Sequence, residues 1–242
     1  MHTVSAGRGA VARATAWLGG GMFVASLGYF AWSYAFRFGR TAAVDTSSSR
    51  LVSALLLNAL LFTVFALHHS VMARAGPRRW LARVVPPPLE RSIYVWIASL
   101  LFILTCAAWQ PIPIVLYDVP WPWRGACVAT QLWGVWLTAR SARLIDPLEL
   151  AGIRQVQGRV RPAALEARGP YCLVRHPIYL GWVLMTFGTP LMTGTRLSFA
   201  AISTTYLLLA IPFEERSLED AFGEEYRAYR QRVRWRMLPG LY

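Results

Sequence analysis

The chain has 242 residues and is 55% apolar, with eleven Trp, ten Tyr and eleven Phe set among several long apolar runs; that composition excludes an ordinary soluble domain and fits one compact bundle of membrane helices. All 25 basic residues are Arg, and the net charge of +13 is confined to segments between the apolar runs, so membrane topology accounts for it better than a nucleic-acid footprint does. Cys106, Cys127 and Cys172 form no metal-type pair and no disulfide framework, which leaves free, inert thiols and no metal site.

Residues 1–13 are small and polar and include Arg8 and Arg13. The first apolar run, 14–36, has the basic flank of a signal peptide, but its length, its aromatics and the lack of a small-x-small cleavage site favour a retained anchor. Further runs follow at 51–67, with Asn58 inside, at 93–109, and at 125–142, which carries Gln131. Runs 178–192 and 197–213 are joined at Thr193, Gly194 and Thr195, which reads as a helical hairpin. The fifth run is short for a span of about 20 residues. The loop 110–123, QPIPIVLYDVPWPW, reads as a stiff interfacial loop with its tryptophans in the aromatic belt. After Glu215, the residues Leu218, Phe222, Tyr226, Tyr229 and Val233 share one helical face opposite a charged one. Gly223 weakens that helix by about 1 kcal/mol relative to Ala, which implies close approach of the backbone to a ligand or another helix.

The expected fold is therefore an all-α integral membrane protein of about six transmembrane helices, five full and one short hairpin member, with a C-terminal amphipathic cytoplasmic helix. It forms a single domain, with four helices in 1–143. Arginine placement supports an even number of spans. With the N-terminus in the cytoplasm, twenty arginines fall inside and only Arg37, Arg40, Arg50, Arg124 and Arg196 fall outside. Both termini and every chemically interesting cluster then belong to one membrane face, of the bacterial inner-membrane type.

Those clusters sit at helix ends. His68, His69 and Arg74 end the second helix, and Glu90 and Arg91 begin the third. The following loop carries Asp146, Glu149, Arg154 and Gln155. The stretch 169–181, GPYCLVRHPIYLG, holds a turn, the cation-capable Arg175 and His176, and Pro177 as a helix start, where its missing N–H costs nothing. Arg175 beside a helix N-terminus makes an anion clamp, or else simply marks a membrane boundary. Glu214 and Glu215 oppose the macrodipole at a helix C-terminus, by roughly 0.3–1 kcal/mol each, so a firm partner such as Arg175 or a function is expected. Carboxylates can accept from ribose hydroxyls, and the ring of Tyr226 or Tyr229 could pack an adenine. His68 and His69 point about 100° apart on a helix, so one of them packs into the bundle rather than both binding a metal.

The run Arg175-His176-Pro177-Ile178-Tyr179-Leu180-Gly181 resembles the RHPxYxG motif of the isoprenylcysteine carboxyl methyltransferase-like membrane methyltransferases. The later residues Glu214, Glu215, Leu218, Phe222, Gly223, Tyr226, Tyr229, Val233 and Pro239 resemble the second motif of that superfamily. Upstream, 69–74, then Glu90, Arg91, Ser92 and Tyr94, then Gly152, Arg154 and Gln155, are similar to the bacterial methanethiol S-methyltransferase branch. The segment 145–150, IDPLEL, departs from that branch, where a His-containing stretch stands, and the tail RVRWRMLPGLY is unusual.

The resemblance implies S-adenosylmethionine as methyl donor, bound by the half 144–242. Arg175, His176 and Tyr179 would meet its methionine end, and Gly181 would allow close approach. Glu214 and Glu215 would sit near the nucleoside or the reaction, with Tyr226 and Tyr229 alongside. Arg74, Arg91 or Arg154 would hold an anionic acceptor, with Glu90 and Gln155 lining its site. His69 is the best candidate for a general base, and His69, Arg74, Arg154 and Glu215 make up the catalytic set. The resemblance points to a small thiol as acceptor; a prenylated cysteine carboxylate or a lipid amine is the alternative, and a non-catalytic transport or redox partner stands in another class. Arg74→Ala should depress turnover while calorimetric donor binding is retained; lost donor binding would put Arg74 in the other pocket.

Overall fold

The computed structural model describes residues 2–41, 47–72, 83, 85–159 and 164–242, with side chains from residue 9 onward. The chain divides into two compact units built from interleaved segments. One comprises Met1–Arg37, Leu56–Trp109 and Asp146–Pro162, and the other Phe38–Leu55, Gln110–Ile145 and Ala163–Tyr242.

Helix α1 (His2–Trp32) runs into a wider π-type turn at Ser33–Arg37. It packs on α3 (Pro87–Ala108) in the first unit, where the missing side chains of Gly19 and Gly20 admit Trp96 and Ile153, and Trp96 Nε1 donates to Thr15 O at 3.1 Å. The unit-one part of α2 (Ser48–Met72) meets α3 through Phe65 and Phe102, 5.0 Å between centroids. Arg37 caps the far end of α3, donating to the carbonyls of Cys106, Ala107 and Trp109 at 3.0, 2.6 and 3.2 Å. A cation there satisfies acceptors that the helix leaves orphaned and suits the negative end of its dipole.

Two single helical turns complete this unit, α5 (Pro147–Leu150) and α6 (Ile153–Val156). They follow the fourth long helix of the sequence, α4 (Arg124–Leu144), which belongs to the second unit. Asp146, held at φ 67°, caps α5 by accepting from Leu148 N and Glu149 N. Gly152 presses on the start of α3: a Cβ there would lie 2.7 Å from Ser92 N, and Ser92 Oγ donates to Gly152 O at 3.3 Å.

In the second unit α4 packs closely on α7 (Pro177–Phe187). The crossing is glycine on glycine. A Cβ on Gly134 would sit 2.5 Å from Gly181 O, and one on Gly181 would sit 2.6 Å from Gly134 O and collide with Thr138 Oγ1. Gly181 therefore serves helix packing. Gln131 Nε2 closes the same seam on Met185 O at 2.9 Å. Helix α8 (Gly194–Phe222) follows, with Thr193 Oγ1 accepting from Arg196 N at its start and Pro212 within it.

The six apolar runs all contain helix, but the spans are uneven. Gly9–Arg37, Ser48–Met72, Pro87–Ala108 and Gly194–Phe222 are long and apolar enough to cross a membrane. Helix α4 has 21 residues but carries Arg124, Gln131, Arg140 and Arg143 and does not join them. Helix α7 has only 11 residues, a rise of about 16 Å, roughly half of a hydrocarbon core. Its run does not continue as helix to Met192, because β2 (Leu191–Thr193) pairs antiparallel with β1 (Val115–Asp118). The supposed interfacial loop thus contains a strand, and this short pair is the departure from an all-α chain among the described residues. Large apolar side chains such as Leu56, Leu60, Leu132 and Trp133 are exposed on helix faces, the arrangement of a protein solvated by lipid.

The amphipathic stretch after Glu215 is not one helix. Gly223, at φ 52°, ends α8, and α9 (Glu224–Arg232) starts afresh. A Cβ on Gly223 would meet nothing within 4 Å, so the glycine answers to a left-handed turn and not to close approach.

Gly181→Leu should lower the melting temperature in detergent by the equivalent of about 1–3 kcal/mol or more, as overpacking does. Gly21→Ala, in a helix position with open space, should be neutral or stabilising by up to about 1 kcal/mol.

Candidate active site

A buried polar constellation in the second unit centres on Glu215. The turn Gly169–Cys172 leads into Arg175 and His176, and α7 begins at Pro177 as its fixed φ favours. Arg175 Nε donates to Glu215 Oε1 at 2.7 Å, and Arg236 Nε donates to Glu215 Oε2 at 3.1 Å. His176 Nε2 lies 3.4 Å from Glu215 Oε1. Arg175, His176 and Glu215 are all buried, with Glu215 4% exposed.

A backbone strap completes the corner. Arg175 Nη1 donates to Val233 O and Arg234 O, both at 2.8 Å. Arg175 N and His176 N donate to Trp235 O and Arg236 O at 3.0 and 2.8 Å. The chain end folds back on itself, with Met237 N and Leu238 N donating to Tyr242 O, and Arg236 lying 5.2 Å over the Tyr242 ring. Arg175 is thus mainly a holder of Glu215 and the strap, which amends its reading as a simple anion clamp; Nη2 alone has no partner among the described residues. An open cavity of about 450 Å³ lies here, lined by Arg175, Arg230, Arg234, Trp235, Arg236 and Tyr242. Of these, Arg175 alone was a site residue in the sequence reading; the alternating Arg-x-Arg of 230–236 was the available signal for the others.

The twin glutamates have separate jobs. Successive helical residues point about 100° apart. Glu215 turns inward, while the Glu214 side chain is 45% exposed and accepts from Tyr179 Oη at 2.7 Å. The His176 ring stacks on Tyr179, 5.3 Å apart and 14° from parallel. Burial alone would lower the His176 pKa, but its contacts with Glu214 and Glu215 outweigh burial and raise it above 6.5.

Tyr226 and Tyr229 are 0% and 3% exposed and form a core cluster with Val233, flanked by Leu165, Ala167, Leu218 and Phe222. Their ring faces are covered by the chain, where the sequence reading gave them an adenine. Tyr229 Oη donates to Tyr171 O at 2.8 Å, while Tyr226 Oη is buried without a hydrogen-bond partner among the described residues.

The remaining sequence-predicted residues lie in the first unit and form a second cluster. His69 Nδ1 is 2.7 Å from Tyr94 Oη. His68 stacks on the same ring, and the Arg91 guanidinium sits 5.1 Å from its centroid. Arg91 Nε also donates to Leu150 O at 3.2 Å. Glu90 is in the first turn of α3, where a carboxylate suits the helix dipole. Arg154 Nε donates to Asp146 Oδ2 at 3.0 Å, so Arg154 is paired. Burial would raise the Asp146 pKa, but Arg154 and the Leu148 amide hold it below the usual carboxylate range. Gln155 Nε2 donates to Glu149 O at 3.3 Å, while its Oε1 is buried without a partner among the described residues. Arg74 lies outside the described residues.

Comparison with known proteins places this corner and these apolar helices in a methyltransferase, as the motif resemblance implied. The phospholipid methyltransferase family model matches residues 126–225. Methanethiol S-methyltransferase 1 of Bradyrhizobium diazoefficiens is 40% identical over 197 residues, 78% of this chain and 67% of the relative. The methanethiol S-methyltransferase of Mycobacterium tuberculosis is 42% identical over 186 residues, 74% of this chain and 76% of the relative. That of Pseudomonas deceptionensis is 39% identical over 194 residues, 78% and 74% of the two chains. The chain belongs to the methanethiol S-methyltransferase family. No solved structure matches it.

Glu215→Gln should cost about 3–5 kcal/mol by leaving buried cations uncompensated. Glu214→Gln should cost under about 1 kcal/mol, as for an exposed pair; both are read by thermal unfolding. The raised His176 pKa has a definite sign. Protonated His176 contributes stability fully below pH 6.5, and the contribution is lost as pH rises through the raised value. The melting temperature should fall across that window in the wild type and less in His176→Gln.

Proposed function

We propose that the protein transfers a methyl group from S-adenosylmethionine to a small thiol, with methanethiol giving dimethyl sulfide as the leading reaction. The observation that carries this reading is the family relation, supported by the intact corner of Arg175, His176, Tyr179 and Glu214–Glu215. The residues fit the donor's charges. The arginine-lined cavity suits the carboxylate of its methionine part, and the half-exposed Glu214, with Tyr179, suits its cationic part. Tyr226 Oη is an unspent donor in the same unit. Glu215 holds the corner in shape without needing to touch the donor. Bound there, the donor would supply an electrophilic methyl on a sulfonium.

Arg74, Arg91 and Arg154 favour the acceptor as its anion, since a neighbouring cation lowers a thiol's pKa. Attack of a thiolate on a sulfonium neutralises both charges, so it gains from a dry setting. A helical membrane protein supplies one. The twenty-to-five division of arginines supports six spans in an inner membrane, both termini and the donor corner cytoplasmic. The phospholipid methyltransferase match keeps a lipid amine acceptor as the second reading.

Membranes containing the protein, given methyl-labelled donor and a panel of thiols and phosphatidylethanolamine, should release volatile label with methanethiol. Label retained in lipid, with none volatile, would establish the second reading instead. Arg175→Ala should abolish transfer to either.

A further inference from the structure

Helix α8 sets the level of the chain that follows it. It is long and apolar enough to cross a membrane. At a rise of about 1.5 Å per residue, Glu215 lies about 32 Å beyond Gly194, close to the ~30 Å of a hydrocarbon core. With α8 upright in a bilayer, its last turns, then α9 and the tail, begin where lipid phosphates stand.

This stretch is basic at its end. From Tyr226 to Tyr242 there are five arginines and no acidic residue. Three of the five are engaged: Arg227 pairs with Glu219 and Glu224, Arg230 with Glu219, and Arg236 with Glu215. Arg232 and Arg234 are exposed, and their side chains have no partner among the described residues. Glu225, an exposed carboxylate on α9, is seven residues before Arg232, about 10 Å along the axis and about one screening length away.

The tail adds an apolar point. Met237 N and Leu238 N donate to Tyr242 O, which closes residues 237–242 into a loop, and Gly240 at φ 82° turns its tip. Met237 is the buried root of this loop, while Leu241 is 79% exposed and Trp235, between the arginines, 40%. Unspent cations beside a Trp and a projecting Leu, just past a spanning helix, match an anionic lipid interface in both charge and depth. The loop is closed already, so seating it there costs little further ordering.

We propose that Arg232 and Arg234 bind the phosphate of an anionic phospholipid in the leaflet at which α8 ends, with Leu241 entering the interface beside Trp235. The lipid is a bound neighbour and not a methyl acceptor, so phosphatidylglycerol, which has no amine, satisfies the site. Arg234 also lines the cavity described above, where Arg175 Nη2 remains for a donor carboxylate. The inference rests on α8 crossing the membrane and on neither acceptor reading.

The full chain, purified in neutral detergent, is titrated with short-chain phosphatidylglycerol or phosphatidylcholine and followed by its melting temperature. Phosphatidylglycerol should bind at least about 10-fold more tightly, since each arginine near an anionic surface is worth about 5-fold. The double variant Arg232→Gln, Arg234→Gln should bring the two lipids within about 2-fold of each other, and Arg232→Lys with Arg234→Lys should keep the preference. Without lipid these variants should melt with the wild type, because neither side chain has a bond to lose. Leu241→Ser should weaken both lipids alike, by about 3-fold, and leave their ratio unchanged. A wild type that binds both lipids equally, or a double glutamine variant that keeps the preference, overturns the proposal. So does displacement of phosphatidylglycerol by millimolar inorganic phosphate, which would make this a site for a free anion. A protein that prefers phosphatidylglycerol in this way but methylates nothing would sink the proposed reaction and leave the lipid site standing.

Discussion

The carboxylate of Glu215 is the constraint on which the second unit is built. A buried carboxylate costs several kcal/mol unless its lone pairs are met, and the attraction to a partner repays that only with good geometry. Here the partners come from three stretches of chain: Arg175 and His176 before α7, Glu215 on α8, and Arg236 in the tail. Removing Glu215 leaves the buried Arg175 uncompensated, and removing either arginine leaves Glu215 one cation short, so the segments depend on one another. The strap is held in both directions, since the Arg175 guanidinium donates to its carbonyls while the amides of Arg175 and His176 donate to the next two. These bonds give the Arg-rich tail a definite course beyond what the burial of Val233 and Met237 supplies.

The parts of this arrangement that were legible in sequence are the ones made by side chains with strong preferences. Six apolar runs announce six helical segments, and an Arg-His-Pro corner with two glutamates announces an ion pair, because hydrocarbon runs and buried charges each have few other uses. The strap was not legible: its acceptors are backbone carbonyls, which every residue carries. Gly181 shows a different limit. A motif glycine signals close approach, but it does not say to what, and here the neighbour is Gly134 across a helix crossing. Gly223 was ambiguous in the same way, and its positive φ makes it a turn. For Tyr226 and Tyr229 the period-four pattern signalled an apolar face, and core packing is what that face does.

Arginine placement has a second layer. Of the five arginines counted outside, Arg37 caps the last carbonyls of α3, and Arg196 is 7% exposed, donating to Thr189 Oγ1 and Leu191 O. Guanidinium groups spent on helix ends and loop carbonyls are structural, so they say little about which side of a membrane they occupy. The same holds for Arg154, Arg175 and Arg236 among the twenty counted inside, so an arginine bears on topology only where its group has no such structural task.

The inventory of titrating groups bears on the acceptor as well. The chain has no Lys and only four His, of which His176 is tied to two glutamates. An amine acceptor arrives protonated at neutral pH, and methylating it requires a group to take that proton near the reaction. A thiol can lose its proton to water beforehand, and the remaining task is to hold an anion beside a cationic donor. Guanidinium groups and N–H donors do that well and general bases do not. A chain rich in arginine is therefore equipped for an acceptor that ionises to water once held beside its cations, which favours sulfur over nitrogen on chemical grounds independent of family resemblance.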